Sequence, residues 1–362
     1  MPTTTVLIVG AGPVGLVAAI ELTRRDIPIR VVDRSEQRTK LSKAVGINSQ
    51  SLELLEPSGL TERLLASGIR IQRANIWFDG ARMLTLDLAL ARHRFNFILA
   101  LAQSETERIL EEALSERGVT VDRQASLTGF EDHGDRVTAG LRAADGTESE
   151  ANARRLLGAD GSHSRVRQVL DIPFKGARYD ETWSLADITL DWPHGYGEIN
   201  LFLSAGGPML FTVPIGPDRI RAISQTDDVL GMLPSGTRVE TVHWQSTFHV
   251  ALRQAERYQR GNAYLAGDAA HVHSPAGGRG MNLGIWDACS FAERCAAGTL
   301  DGYSAERHPI GARILAITDR MFRIASLPPG PGQLLRNALM RTAARLPVIQ
   351  RQIAPQLLGI ER

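Results

Sequence analysis

Gly10, Gly12 and Gly15 stand at the spacing G-x-G-x-x-G, directly after the apolar run Val6-Leu7-Ile8-Val9. Glycines so spaced let a chain turn tightly, bring its backbone up to a phosphate, and pack a helix closely on the strand it has just left. Pro13 and Val14 lie between them, a helical pattern continues to Arg25, and a second apolar run, Ile29-Arg30-Val31-Val32, ends at Asp33-Arg34. A helix that starts within the glycine turn points free N–H groups and the positive end of its dipole at a bound pyrophosphate. Asp33 stands where a carboxylate accepts hydrogen bonds from ribose hydroxyls. The chemistry these residues can do is dinucleotide binding. An ordinary glycine-rich turn is the plain alternative, and it leaves the strand, helix and acid around it unexplained.

Composition narrows the field. At 362 residues the chain can bury a large core and form more than one lobe. A net charge of +1 gives no electrostatic case for nucleic acid or an anionic membrane. No apolar stretch reaches the about 20 residues that span a bilayer, and Met1–Thr5 run straight into the first strand without a signal-peptide pattern, so a cytoplasmic location is expected. Cys289 and Cys295 are the only cysteines and sit six apart on one expected helix, which fits a reducing compartment and excludes a disulfide scaffold. Zinc-site spacings are absent, so no metal is expected. Lys40, Lys43 and Lys175 are the only lysines.

The elements that must position the chemistry are legible in outline. A helix over Ser51–Glu56 should stop at Pro57 and Gly59. Strand-like segments between 71 and 99 include a hairpin at Asp79-Gly80. A helix over Gln103–Arg117 should end at Gly118. Short strands from 119 to 157 read as an antiparallel meander, with turns at Asp132–Asp135 and Asp145-Gly146. Strands are expected at Trp183–Leu190, Ile199–Leu203, Met209–Val213, Ile220–Ser224 and Val242–Val250. In the last of these Val242, Trp244, Ser246, Phe248 and Val250 share one face. Helices resume over Met281–Ala297 and Tyr303–Arg323; a Pro/Gly linker at 327–332 leads to an amphipathic tail, Gln333–Gly359, expected to pack on the body.

Two further segments carry a resemblance. Gly158-Ala159-Asp160-Gly161-Ser162 runs on to Arg167, and Gly267-Asp268-Ala269-Ala270-His271 runs on through Pro275-Ala276-Gly277-Gly278-Arg279-Gly280 to Met281-Asn282. With the N-terminal turn, these three motifs resemble the fingerprints of group A FAD-dependent aromatic hydroxylases, the para-hydroxybenzoate hydroxylase type, and within that group the polyketide and phenol hydroxylases. The likeness covers residues 1 to about 325. On the residues alone, the glycine-rich loop before Met281-Asn282 opens a helix whose N–H groups and dipole would stabilise a reduced, anionic flavin edge. Asp268 follows the apolar run Tyr264-Leu265-Ala266, at a strand end facing the cofactor crevice or capping the next turn.

The resemblance implies an α/β fold: a Rossmann-like FAD-binding domain over 1–72, 99–174 and 256–325, a mostly antiparallel β-sheet substrate domain over 73–98 and 175–255, and a helical tail over 326–362. It implies that FAD is resident, that NADPH or NADH visits, and that O₂ is consumed. Asp268 then holds the ribityl hydroxyls, and Asp160 serves both FAD and the nicotinamide, with Arg167 as the motif's arginine. An Asx-turn for Asp160 and a solvated helix charge for Arg167 fit the local sequence as well. Lys43-Ala44 occupies an Arg-Ala position near the pyrophosphate, Gln103 matches a flavin-nucleotide contact, and Leu127 a backbone contact to adenine. Arg279 departs from the glutamine of many relatives; it would tune the flavin, hold an anionic substrate, or face solvent. Larger relatives carry a thioredoxin-like C-terminal domain, for which 326–362 is too short, so a short form is expected.

The expected reaction is hydroxylation of a small phenolic or polyketide-like aromatic molecule through a flavin C4a-hydroperoxide, on a monomer or homodimer. No side chain is obligatory for it, so the catalytic residue stays unknown; His194, Tyr196, His243 and His249 are the candidates for a base, and His271 a scaffold residue. Phe202, Phe211, Trp244 and Phe248 are expected to wall the substrate pocket, although each also suits an ordinary core. A halogenase lacks its W-x-W-x-I-P stretch here, and a plain NAD-dependent dehydrogenase leaves the Asp268 segment idle. An epoxidase or Baeyer–Villiger oxygenase on the same fold, and an FAD-binding accessory protein without turnover, stay open.

Overall fold

The opening apolar run forms a strand, Thr4–Val9, lying between two parallel neighbours, Ile29–Val32 on one side and Glu148–Gly158 on the other. This computed structural model describes residues 4–38, 44–273 and 278–360. The sheet continues outward to Val121–Asp122 beyond Ile29–Val32, and to Ala263–Leu265 and Gln259–Arg260 beyond Glu148–Gly158. The two antiparallel strands Ser126–Asp132 and Val137–Arg142 are attached to Glu148–Gly158. Val6, Leu7 and Ile8 are buried, as a central parallel strand covered on both faces requires.

The helix after the glycine turn, Pro13–Thr23, is apolar on every side, and Gly15 through Leu22 are all buried. A helix of that kind belongs inside a layer. Here it packs between Gln103–Ser115 and Gly280–Ala297, so the first and third motifs share one wall.

A second sheet runs in the order His271–Val272, Arg238–Ala255, Phe174–Asp191, Arg219–Ser224, Leu210–Pro214, Glu198–Leu203, Arg73–Phe78, Ala81–Asp87. Its pairs are antiparallel except for Glu198–Leu203 with Arg73–Phe78. Its spine is two strands of 18 residues each. A small sheet of Gly46–Ile47, Ile98–Ala100 and Ile69–Ile71 lies alongside.

The local signals hold where they are strong. Asp79 and Gly80 both adopt positive φ (47° and 78°), the two-residue turn an Asp-Gly hairpin favours. Gly118 has φ of 77° just past the Gln103–Ser115 helix. Three expectations need correction. The tail is two helices, Pro331–Arg345 and Pro347–Leu357, because Pro347 cannot donate an N–H and holds Leu346 extended. Val242 leaves the apolar face and is 42% exposed, because the pairing register shifts between Asp187 and Ile188. His271–Val272, expected among the cofactor-domain residues, pairs instead with Gln254 and Arg253 of the second sheet.

Candidate functional site

The site is assembled at the carboxyl ends of three parallel strands. After Thr4–Val9, Gly10 turns with φ of 105°, and its N–H donates to the carbonyl of Val32. A Cβ on Gly10 would lie 2.3 Å from the carbonyl oxygen of Ala159, and one on Gly15 would lie 1.9 Å from that of Gly10. Neither position admits a side chain. A Cβ on Gly12, by contrast, meets nothing within 4 Å among the described residues. The outer two glycines therefore serve the chain's own packing, and the middle one borders open space in front of an uncapped helix N-terminus. A pyrophosphate fits that cradle. Asp33 is tied into it: its carboxylate accepts the N–H of Ala11 at 2.6 Å and that of Ser35 at 2.7 Å. Arg34 beside it is exposed.

The second motif lies against the first. The N–H of Ala159 donates to the Val9 carbonyl at 2.8 Å, and that of Ala266 to the Gly158 carbonyl at 3.0 Å. Asp160 Oδ2 accepts from the N–H groups of Arg165 and Val166, capping the short turn that follows. Asp160 Oδ1 is buried with no partner among the described residues, and burial pushes the carboxyl up, outweighing its hydrogen bonds to Ser164, Val166 and Arg165. An unpaired buried oxygen beside the glycine turn is what a polar cofactor atom would satisfy. Arg167 is buried, not a solvated charge. Its guanidinium lies 3.8 Å from the centre of the Phe174 ring and donates to the carbonyls of Ala269 and Ser162, so it ties the second motif to the third.

The third motif begins at Gly267, whose φ is 59°. Its N–H donates to Asp287 Oδ2, which lies 2.6 Å from His271 Nε2, while Asp287 Oδ1 accepts from Arg307 Nε at 2.8 Å. Burial alone would push the Asp287 carboxyl up; the His271 and Arg307 partners outweigh it and hold the carboxyl below the usual range. His271 is thus the scaffold residue expected. Asp268 is exposed in the turn after the Ala263–Leu265 strand. Gly284 and Gly267 allow the Gly280–Ala297 helix to close on Val14: a Cβ on Gly284 would lie 2.4 Å from Val14 Cγ2 and 3.1 Å from Gly267 Cα.

That helix starts without a side-chain cap, leaving the N–H groups of Gly280, Met281 and Asn282 to a ligand. Gly278 precedes it with φ of 60°. The Asn282 carboxamide is spent on the chain: Nδ2 donates to the carbonyls of Gly46 and Gly278, and Oδ1 accepts the Asn48 N–H, so only its backbone is left for a cofactor. Arg279 does not face solvent. It is buried, and Nη2 donates to the carbonyl of Gln356 in the last helix. Pro275 and Lys43 lie outside the described residues. Ala44 accepts at its carbonyl from the Gln103 N–H, and the Gln103 side chain donates to buried Glu107, whose carboxyl burial raises. Leu127 is a buried core residue.

The four aromatic residues expected in a pocket do not share a surface. Phe211, Trp244 and Phe248 lie on one face of the second sheet, with Trp183 and with Phe322 of helix Tyr303–Ala325. Phe202 points to the other face, stacked on Trp77 and in contact with Trp192 and His194. His194 belongs to that cluster too, and burial lowers its pKa. Tyr196 donates to the Leu190 carbonyl, while His243 and His249 are exposed. None of the four base candidates stands with Phe211, Trp244 and Phe248.

Sequence reasoning missed two buried ion pairs. Arg221 forms a two-point contact with Asp187 at 2.6 and 2.7 Å, its guanidinium 5.3 Å from the centre of the Trp244 ring and 3.4 Å from the Ala44 carbonyl. This pair ties the apolar face to the segment beside the cofactor crevice. The other pair is Asp287 with Arg307, and for that one a signal existed: Asp287 is a lone carboxylate within the buried run from Met281 to Ala292, which demands a partner.

Comparison with known proteins agrees with this geometry. The profile of a family described as "FAD binding domain" matches residues 3–217 and 230–318. An uncharacterized aromatic compound monooxygenase of Bacillus subtilis is 32% identical over 98% of this chain and 75% of its own length. A 6-methylpretetramide 4-monooxygenase of Streptomyces rimosus is 35% identical over 86% of this chain, which spans 60% of that protein. Among solved structures, p-nitrophenol 4-monooxygenase from Pseudomonas putida superposes with a TM-score of 0.89 at 22% identity, covering 99% of this chain and 98% of that one, a likeness of fold.

Proposed function

The chain belongs to the FAD binding domain family, and from that membership we propose that it is an FAD-dependent monooxygenase that consumes NADPH or NADH and hydroxylates a small aromatic molecule. The observation that carries the reading is the convergence of three strand ends on Gly10, with open space in front of Gly12 and the Gly280–Ala297 helix closed on Val14 beside it. FAD, when bound, would supply the redox chemistry of hydride uptake and O₂ activation.

The chain's own residues bind, orient and shield. The N–H groups of Gly12, Val14 and Gly15 and the helix dipole hold the pyrophosphate. Asp33 takes the ribose hydroxyls and Asp268 the ribityl hydroxyls. The N–H groups of Gly280, Met281 and Asn282 would stabilise negative charge on a reduced flavin. Asp160 Oδ1 is assigned to the flavin and the visiting nicotinamide, and Arg167 acts there as a positioning residue through the carbonyls it holds. Phe211, Trp244 and Phe248 seat the aromatic substrate on an apolar face and exclude water from it. We assign the protein to a reducing cytoplasm, in keeping with the free thiols Cys289 and Cys295. Among the described residues no helix is long and apolar enough to cross a membrane.

The test is a purified preparation assayed with a panel of phenols and polycyclic quinols. The reading requires a yellow, FAD-containing protein whose NAD(P)H oxidation is accelerated by at least one compound, with an atom of labelled O₂ recovered in the product. A colourless protein that binds only a nicotinamide nucleotide overturns it.

A further inference from the structure

Helix Tyr303–Ala325 has a buried face and, beside it, a largely exposed one. Ile314, Thr318 and Phe322 are buried, Phe322 against the second sheet. Roughly a third of a turn further round, Arg313, Ile317, Arg320 and Ile324 form another row at helical spacing. Opposite this row stands the Pro347–Leu357 helix with Arg351, and the segment carrying Leu90 and Arg92 closes a third side. Between them lies a cavity of about 1200 Å³ that is open to solvent. Sites for small organic molecules are typically about 300–1,000 Å³, so the space is ample for one.

Its lining is one-sided. Four arginines contribute to it, and among the described residues no aspartate or glutamate does. Arg92, Arg320 and Arg351 form no ion pair among the described residues, whereas Arg24, Arg108, Arg294 and Arg307 are each matched to a carboxylate. Between the guanidiniums the wall is aliphatic, with Ile317, Ile324 and Ile360. The positive charge of Arg92, Arg320 and Arg351 calls for an anion, and an aliphatic wall calls for hydrocarbon. One molecule carrying both satisfies the whole cavity.

We propose that this cavity is a second small-molecule site, separate from the FAD crevice, that takes an amphipathic organic anion: an apolar body ending in a carboxylate, sulfonate or phosphate. Its wall reaches the flavin loop by a single step, since Gln356 lines the cavity and its carbonyl holds Arg279. An occupant would therefore touch the helix that braces the start of Gly280–Ala297.

The probe is 8-anilinonaphthalene-1-sulfonate, titrated calorimetrically into the FAD-loaded protein, with decanoate and decyltrimethylammonium as competitors. Binding at one site per chain is expected, displaced by decanoate and not by the cation. Arg320→Ala and Arg351→Ala, both at exposed positions, should each weaken it about tenfold, one charge-assisted contact being lost. Arg341→Ala, an exposed arginine outside the cavity, should leave it unchanged. Retention of full affinity in both cavity variants overturns the proposal. So does equal competition by the cation, which would mark the arginines as a solvated surface.

Discussion

Replacing Gly284 by alanine sets two effects of known size against each other. In a helix interior the change is favourable by about 1 kcal/mol on propensity alone. Against it, the new methyl would lie 2.4 Å from Val14 Cγ2 and 3.1 Å from Gly267 Cα, well inside the about 3.5–4.0 Å at which carbons meet. Val14 is β-branched in a helix and has essentially one rotamer. Gly267 is backbone, pinned by its N–H to Asp287. Neither neighbour can yield without moving a helix, and overpacking of this sort costs about 1–3 kcal/mol. Strain therefore outweighs propensity, for a net loss of about 1–2 kcal/mol. The helix pushed aside begins at Gly280, so FAD affinity should fall along with stability. Urea denaturation of the apoprotein and FAD titration measure the two quantities. Val14→Ala in the same chain should recover part of both, with a coupling of about 1 kcal/mol. A Gly284→Ala protein as stable as the parent, with unchanged FAD affinity, would refute the claim that these glycines set the closeness of the two helices.

Gly12→Ala should keep the apoprotein's stability within about 0.5 kcal/mol, since its Cβ meets nothing, yet lose FAD; Gly10→Ala, strained at φ of 105° and blocked by Ala159, should fail to accumulate as folded protein on gel filtration. Asp268→Ala should be purified without FAD, and full flavin occupancy by absorbance would remove that carboxylate from the site. Glu107 has its carboxyl raised by burial, so it contributes stability below the unfolded-state pKa of about 4.3 and loses it as pH rises through the higher folded value. Glu107→Gln keeps an acceptor for Gln103 without the charge, so its melting temperature should exceed the parent's at pH 8 and match it at pH 4; the same difference at both values would show that burial of the charge is not the cause.

What could be read in the sequence follows how local each signal is. The glycine turn, the Asp79-Gly80 hairpin and the Gly118 stop are decided within a few residues, and each stands where its chemistry places it. The alternation over Val242–Val250 was sound from Trp244 onward and failed at Val242, because a register shift depends on the partner strand. The division of aromatic residues between the two faces of the second sheet was legible only in part. Phe202 and Phe211 look alike as residues, and parity separates them only once the strand boundaries are fixed. Arg279 illustrates the limit. Its partner, Gln356, is 77 residues away in a helix whose start depends on Pro347 breaking the tail, and no local pattern reports that meeting.

The short pairing of His271–Val272 with Arg253 and Gln254 gives the third motif a foothold in the substrate-facing sheet, while Gly267 and Gly284 fasten its flanks to the dinucleotide-binding layer. A single stretch of chain is thus clamped in two different slabs of the molecule. A tilt of one slab against the other would strain this crossing, which lies where a flavin would rest.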